Sequence, residues 1–107
     1  MTRNEALEIM HAFLRDAEKT RIRPENAPLA ITGMKELADP PGWVFYFNTQ
    51  KWAETRLFEH AIIGQGPTIV LADGRLLDGG SAESVDMVLR RFGVSKSAPA
   101  EFSPRST

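Results

Sequence analysis

The sequence contains no cysteine among its 107 residues. Disulfide frameworks, thiolate nucleophiles and cysteine-based zinc sites are therefore excluded. The sequence also lacks any apolar run that approaches ~20 residues, the length of a membrane-spanning helix. Its N-terminal stretch carries charges throughout instead of the apolar core of a signal peptide. We therefore expect a soluble, cytoplasmic protein.

Positive and negative charges are nearly balanced, with 13 Lys and Arg residues and 14 Asp and Glu residues. A formal net charge of -1 gives no bulk attraction to nucleic acid or to an anionic membrane, so neither is expected as a partner. Any partner must be recognised through local shape and charge. The length and the hydrophobic content of 42% predict one domain over residues 1–93, followed by a flexible Ser/Pro-rich tail over 94–107.

Motifs for catalysis or for cofactor binding are also missing. Gly64 and Gly66 precede a predicted strand instead of opening a helix, and Pro67 has no N–H to offer a phosphate. No G-x-S-x-G motif surrounds a serine. His11 and His60 lack a third residue at metal-ligand spacing. We expect no enzyme activity, no cofactor and no metal.

Helical periodicity occurs near both ends of the chain. Thr2 and Glu5 have the spacing of a capping box, and the apolar residues that follow predict a helix over about 3–19. Ser81 stands where an N-cap belongs, which predicts a second helix over about 82–92. The Gly79-Gly80 pair before it is interpreted as a plain strand-to-helix connection, with an anion site at the helix N-terminus as the alternative.

Strand signals fill the middle of the sequence. Two strands are predicted around the turn Asp39-Pro40-Pro41-Gly42, and the second of them is expected to be central. Two more are predicted over about 67–72 and 75–78, joined by an Asp73-Gly74 turn. Residues 50–60 fit neither a short helix nor an extended connection clearly. The expected fold is α+β, a small antiparallel sheet of about four strands packed with an N-terminal and a C-terminal α-helix.

The strand "WVFYF" is apolar on both sides. Trp43, Phe45 and Phe47 should lie on one face of the sheet, with Val44 and Tyr46 on the other. If both helices pack on one face, aromatic surface remains on the opposite face and is a candidate partner site. The segment 50–66, or a second copy of the chain in a homodimer, would be the alternative cover.

Several of these segments together resemble the immunity protein 35 family, also called the YrhB domain. The resemblance covers about residues 5–93. It consists of a Trp-x-Phe strand, a Gly-x-Gly-Pro-x-Ile-Val strand entry, an Asp-Gly hairpin and a small-residue turn before the last helix. The matching residues are Trp43, Phe45, Gly64, Gly66, Pro67, Ile69, Val70, Asp73, Gly74 and Gly80.

The resemblance implies an α+β immunity protein that binds and neutralises a cognate bacterial polymorphic toxin stoichiometrically in the producing cell. The near-neutral charge does not fit an inhibitor of a basic nuclease, which should be strongly acidic. A family relative is associated with chaperone-like behaviour, so client holding is the alternative function. A small ligand-binding domain is the third.

The segment "YFNTQKWAETRLFEH" combines aromatic residues with charges of both signs. Trp52 and Tyr46 are the candidate anchors for a protein partner, because aromatic side chains supply a large contact area at low entropic cost. Glu54 and Arg56 are the candidate residues for charge complementarity around them. The alternative is that Trp52 closes the hydrophobic core.

Overall fold

The computed structural model describes residues 1–94. The sheet is antiparallel, with its four strands in the order β1-β2-β3-β4, and helices precede and follow it, which confirms the α+β fold. The tail predicted at 94–107 lies, beyond Val94, outside the described residues. The elements are α1 (Arg3–Thr20), β1 (Leu29–Ala38), β2 (Pro41–Thr49), α2 (Gln50–Thr55), β3 (Gln65–Leu71), β4 (Leu76–Gly80) and α3 (Val85–Arg91), with 3-10 turns at Pro24–Asn26 and Phe58–His60.

Helix α1 begins at the predicted capping box. The Thr2 hydroxyl accepts a hydrogen bond from the Glu5 N–H, and the Glu5 carboxylate accepts one from the Thr2 N–H. These two bonds satisfy N–H groups that have no partner inside the helix. One stripe of the helix is buried against the sheet and consists of Ala6, Met10, Leu14 and Ala17.

The hydrophobic core has two parts, which lie on opposite faces of the sheet. Phe45, Phe47 and Val70 belong to the core beneath α1. Val44 and Ile69, their neighbours along the strands, belong to a second core with residues of α3. Because side chains alternate along a strand, α1 and α3 must cover different faces. The arrangement with both helices on one face, considered above, is therefore wrong.

The strand boundaries differ slightly from the predicted ones. Strand β2 already begins at Pro41, so the first turn is shorter than expected, and β2 is central as predicted. Strand β3 begins at Gln65, and β4 extends to Gly80, so that the Gly79-Gly80 pair belongs to the strand and is not a connection. The undecided segment 50–60 forms α2 and a 3-10 turn.

Helix α3 starts three residues later than predicted. Its N-cap is Ser84, whose side chain accepts a hydrogen bond from the Met87 N–H, and not Ser81. The preceding turn is held by Glu83, whose carboxylate accepts from the Gly80 N–H at 2.6 Å and from the Arg91 Nε at 2.7 Å. These bonds connect the end of β4 to α3 and delay the start of the helix.

We expect the free energy of unfolding to fall in acid through protonation of Glu83. The Arg91 guanidinium and then the Gly80 N–H lower the pKa of Glu83 below its ordinary value of 4.5. A carboxyl whose pKa is lowered by folding stabilises the protein above that ordinary value, and this contribution is lost as pH falls through the lowered pKa. Urea melts between about pH 7 and pH 3 should show a shallower decline in Glu83→Gln than in the wild type. Equal slopes in the two proteins would contradict this role for Glu83.

Candidate protein-binding surface

The chain between α2 and β3, residues 56–64, forms a loop with a fixed backbone, here called the 56–64 loop. The Thr49 hydroxyl donates to the His60 carbonyl at 2.6 Å. The Asn48 amide accepts from the Ile62 N–H at 2.9 Å and donates to the Ile62 carbonyl at 3.2 Å. The Gln65 amide donates to the same carbonyl at 3.0 Å. Side chains at the end of β2 and the start of β3 thus bind backbone groups of this loop that a neighbouring strand would otherwise bind.

The same loop exposes its largest apolar side chains. Phe58 and Ile63 are each 81% exposed, and Leu57 is 50% exposed. The adjacent Ile62, by contrast, packs against the core beneath α1. The loop is therefore anchored by one apolar residue and presents three others outward. Large apolar side chains that a short, anchored loop leaves exposed are candidates for contact with another molecule.

The structure brings Trp52 and Arg56 of the predicted site together. Arg56 has a left-handed backbone (φ 58°) at the end of α2, and its N–H donates to the Trp52 carbonyl at 2.7 Å. Its guanidinium carbon lies 4.4 Å from the centre of the Trp52 ring, within the range of a cation–π interaction. Trp52 is half-buried. Trp52 in α2 and Arg56, the first residue of the 56–64 loop, thus lie immediately before the exposed Leu57.

The other two predicted site residues lie in different surroundings. The Glu54 carboxylate accepts a hydrogen bond from the Gln50 amide at 3.1 Å and lines a hollow at the end of the sheet. Tyr46 is 41% exposed on the sheet face that α3 covers, where it lines another hollow with Lys35 and Leu37. The four predicted residues therefore do not line one common hollow.

Two adjoining hollows flank the 56–64 loop. The first, here called the acidic hollow, is lined by Glu25, Glu54 and Glu59 with Lys51 as a counter-charge. The second, here called the basic hollow, is lined by Arg21 and Arg23 with Asp78 as a counter-charge, over apolar walls that include Phe47, Ile62 and Ile63. Asn26 lines both hollows, so they form one continuous surface of two opposite charges.

Leu57, Phe58 and Ile63 are the candidate residues that sequence reasoning missed. One feature of the sequence could have indicated two of them. Leu57 and Phe58 fit neither the helical nor the strand period, which is expected of apolar residues that do not join the core. The loop that presents them is held by hydrogen bonds between Ile62 and the side chains of Asn48 and Gln65, which no short-range pattern reveals.

Within residues 1–94, no helix is both long and apolar enough to cross a membrane. Over the same range, no group of three or more His, Asp or Glu side chains is arranged to hold a metal ion. His11 is exposed on α1, and His60 is half-buried in the 3-10 turn next to the acidic hollow.

No protein-family model, no curated protein and no solved structure matches this chain. The resemblance to the immunity protein 35 family therefore remains a prediction made from the residues that carry it. A functional proposal therefore rests on that resemblance, on the fold and on the 56–64 loop with its two hollows.

Proposed function

We propose that this protein is an immunity protein that binds and neutralises a cognate bacterial toxin through the 56–64 loop. The observation that carries the proposal is a backbone fixed by four side-chain hydrogen bonds that nevertheless leaves Phe58 and Ile63 in water. Such a loop is already ordered before a partner arrives. Binding then gains the burial of large apolar side chains without the entropic cost of ordering the loop.

Charged residues next to the loop would set the orientation of the toxin. Arg56 stacks on Trp52, which holds its guanidinium in place while leaving the side chain at the surface. Glu54 and Glu59 lie on the other side, around the acidic hollow. Charged residues around an apolar centre contribute to specificity and association rate more than to affinity. Because Arg56, Glu54 and Glu59 include charges of both signs, they fit a partner that is itself not strongly basic.

Client holding, the alternative function, requires a surface that adapts to unrelated chains. Promiscuous binders use flexible or methionine-rich surfaces that can repack. The 56–64 loop instead contains no methionine, and its backbone is tied to β2 and β3. This rigidity favours one defined partner.

Replacing Phe58 by Ser is expected to weaken toxin binding by at least ~2 kcal/mol, about 30-fold in Kd, because it removes a central aromatic anchor. The matched control is Met87→Ser, which removes an exposed apolar side chain from α3 on another part of the surface. The control should change the binding free energy by less than ~0.5 kcal/mol. Calorimetric titration should use the C-terminal domain of a secreted toxin encoded beside this gene.

The wild-type titration should give one copy of the protein per toxin domain. Melting temperatures of both variants should stay close to the wild type, because neither side chain is buried. Failure of the wild type to bind the toxin domain would refute the immunity function. Suppression of the aggregation of unrelated proteins without a defined stoichiometry would instead favour client holding. Equal binding by Phe58→Ser and the wild type would place the toxin site elsewhere.

A further inference from the structure

We propose that, without a toxin, the protein forms a two-fold symmetric homodimer through the 56–64 loop and its two flanking hollows. This inference goes beyond the proposed function, since it concerns the isolated chain. It rests on the apolar residues of the loop and on the distribution of charge beside them.

The apolar part of the surface extends from the loop into the basic hollow. Ile63 is 81% exposed and lines that hollow together with Ile22, Phe47 and Ile62. Phe58 is equally exposed on the same loop, in the 3-10 turn that precedes the anchored Ile62. A second copy seated on the basic hollow would cover Ile63, and a contact that extends along the 56–64 loop would also cover Phe58. These apolar side chains would lose their contact with water, as is usual in homodimer interfaces.

The charges around this centre make the surface complementary to itself. Its acidic hollow carries three carboxylates against one lysine, and its basic hollow carries two arginines against one aspartate. A two-fold rotation places residue i of one copy against residue j of the other, and residue j against residue i. If the axis passes near Asn26, which lines both hollows, the acidic hollow of each copy faces the basic hollow of the other.

Two exposed residues of opposite charge are candidates for an ion pair between the copies. The Glu59 side chain is exposed and has no hydrogen bond or ion pair to any residue within 1–94. Arg23 has only a loose contact of 3.9 Å to Glu25, and both side chains are highly exposed. Arg21, by contrast, is already bound to Asp78 at 2.7 Å. We therefore assign the pair between copies to Glu59 and Arg23.

The β1 edge of the sheet is a poorer dimer contact. Strand β1 is an edge strand, but it carries Lys35 and Glu36 in succession and has a register shift between Ile31 and Gly33. Charged residues and bulges on an edge strand disfavour pairing with another strand. Pairing of two β1 edges about a two-fold axis centred on Lys35 or on Glu36 would also oppose like charges.

Sedimentation equilibrium of the full chain, alone, tests the dimer. We expect a mass of twice the 11.9 kDa of one chain. The double variant Phe58→Ser/Ile63→Ser should raise the dimer dissociation constant by at least ~30-fold. The matched control Met87→Ser should leave it within ~3-fold. A monomeric wild type, or a dimer that the loop variant leaves unchanged, would overturn the proposal.

Reversing the charge of Arg23 or of Glu59, which are both exposed, provides a second test. Arg23→Glu and Glu59→Arg should each raise the dissociation constant by about 10-fold, and the combination should restore it toward the wild-type value. A combined variant whose dimer dissociation constant is higher than that of either single variant would overturn the assigned pair. Because these experiments contain no toxin, a monomer would refute the dimer without touching the immunity function, and a failed toxin titration would leave the dimer intact.

Discussion

Replacing Phe45 by Ala should lower the free energy of unfolding by about 3–5 kcal/mol. Phe45 lies in the central strand β2, is fully buried, and belongs to the core beneath α1. Removing the ring takes away its transfer free energy and leaves a cavity that the helix and the sheet can only partly close. A domain of this size has a total stability of only ~5–15 kcal/mol, so the loss should be visible in any denaturant melt.

Tyr46→Ala is the control for the same strand. Tyr46 is the next residue along β2, points to the opposite face and is 41% exposed. Its truncation should cost about 1 kcal/mol or less in the same urea melts. Equal losses in the two variants would show that Phe45 does not have the buried position described here.

Gly66→Ala should lower the free energy of unfolding by at least ~3 kcal/mol or prevent folding. A Cβ atom at Gly66 would overlap the Gly80 carbonyl oxygen. That oxygen belongs to the backbone of β4 and cannot rotate away as a side chain can. Strands β3 and β4 would therefore have to separate where their register already shifts, between Gln65 and Thr68.

Gly33→Ala serves as the control for a strand glycine with room for a methyl group. A Cβ atom there would meet the Tyr46 ring at 3.6 Å, an ordinary contact distance. Thermal melts of the two variants should show a large loss for Gly66→Ala and a change within ~1 kcal/mol for Gly33→Ala. A Gly66→Ala protein as stable as the wild type would contradict the close approach of β3 and β4.

The sequence predicts most of the fold because local signals and global packing agree there. The capping box of Thr2 and Glu5 and the apolar stripe after it specify α1. The β-branched and aromatic run from Trp43 to Phe47 specifies the central strand. Gly64 has a positive φ of 100° at the bend before β3, in agreement with the turn predicted there.

The placement of the helices could not be predicted from the same signals. Strand β2 is apolar on both faces, so its pattern fits helices on one face or on two. In the structure, Glu83 binds both the Gly80 N–H and Arg91 at the turn after β4, and α3 packs on the face opposite α1. The contact between Glu83 and Arg91 joins residues eight positions apart and has no periodic signature.

The candidate surface was only partly visible in the sequence. Trp52 and Arg56 were both candidates, but their contact depends on α2 and on the left-handed backbone of Arg56 at its end, and the sequence left this segment undecided. The loop that carries Phe58 and Ile63 is held at Ile62 by Asn48, which lies 14 positions away. An apolar residue is normally expected to join the core, and only this tertiary network shows that these two do not.

The proposed immunity function predicts that this protein inhibits a toxin encoded beside its own gene. In a titration with this protein, the activity of the toxin domain should fall linearly and reach its minimum at one copy of the protein per toxin domain. Phe58→Ser should need a clear excess to reach the same inhibition, whereas Met87→Ser should behave as the wild type does. Full toxin activity in the presence of excess wild-type protein would contradict the account.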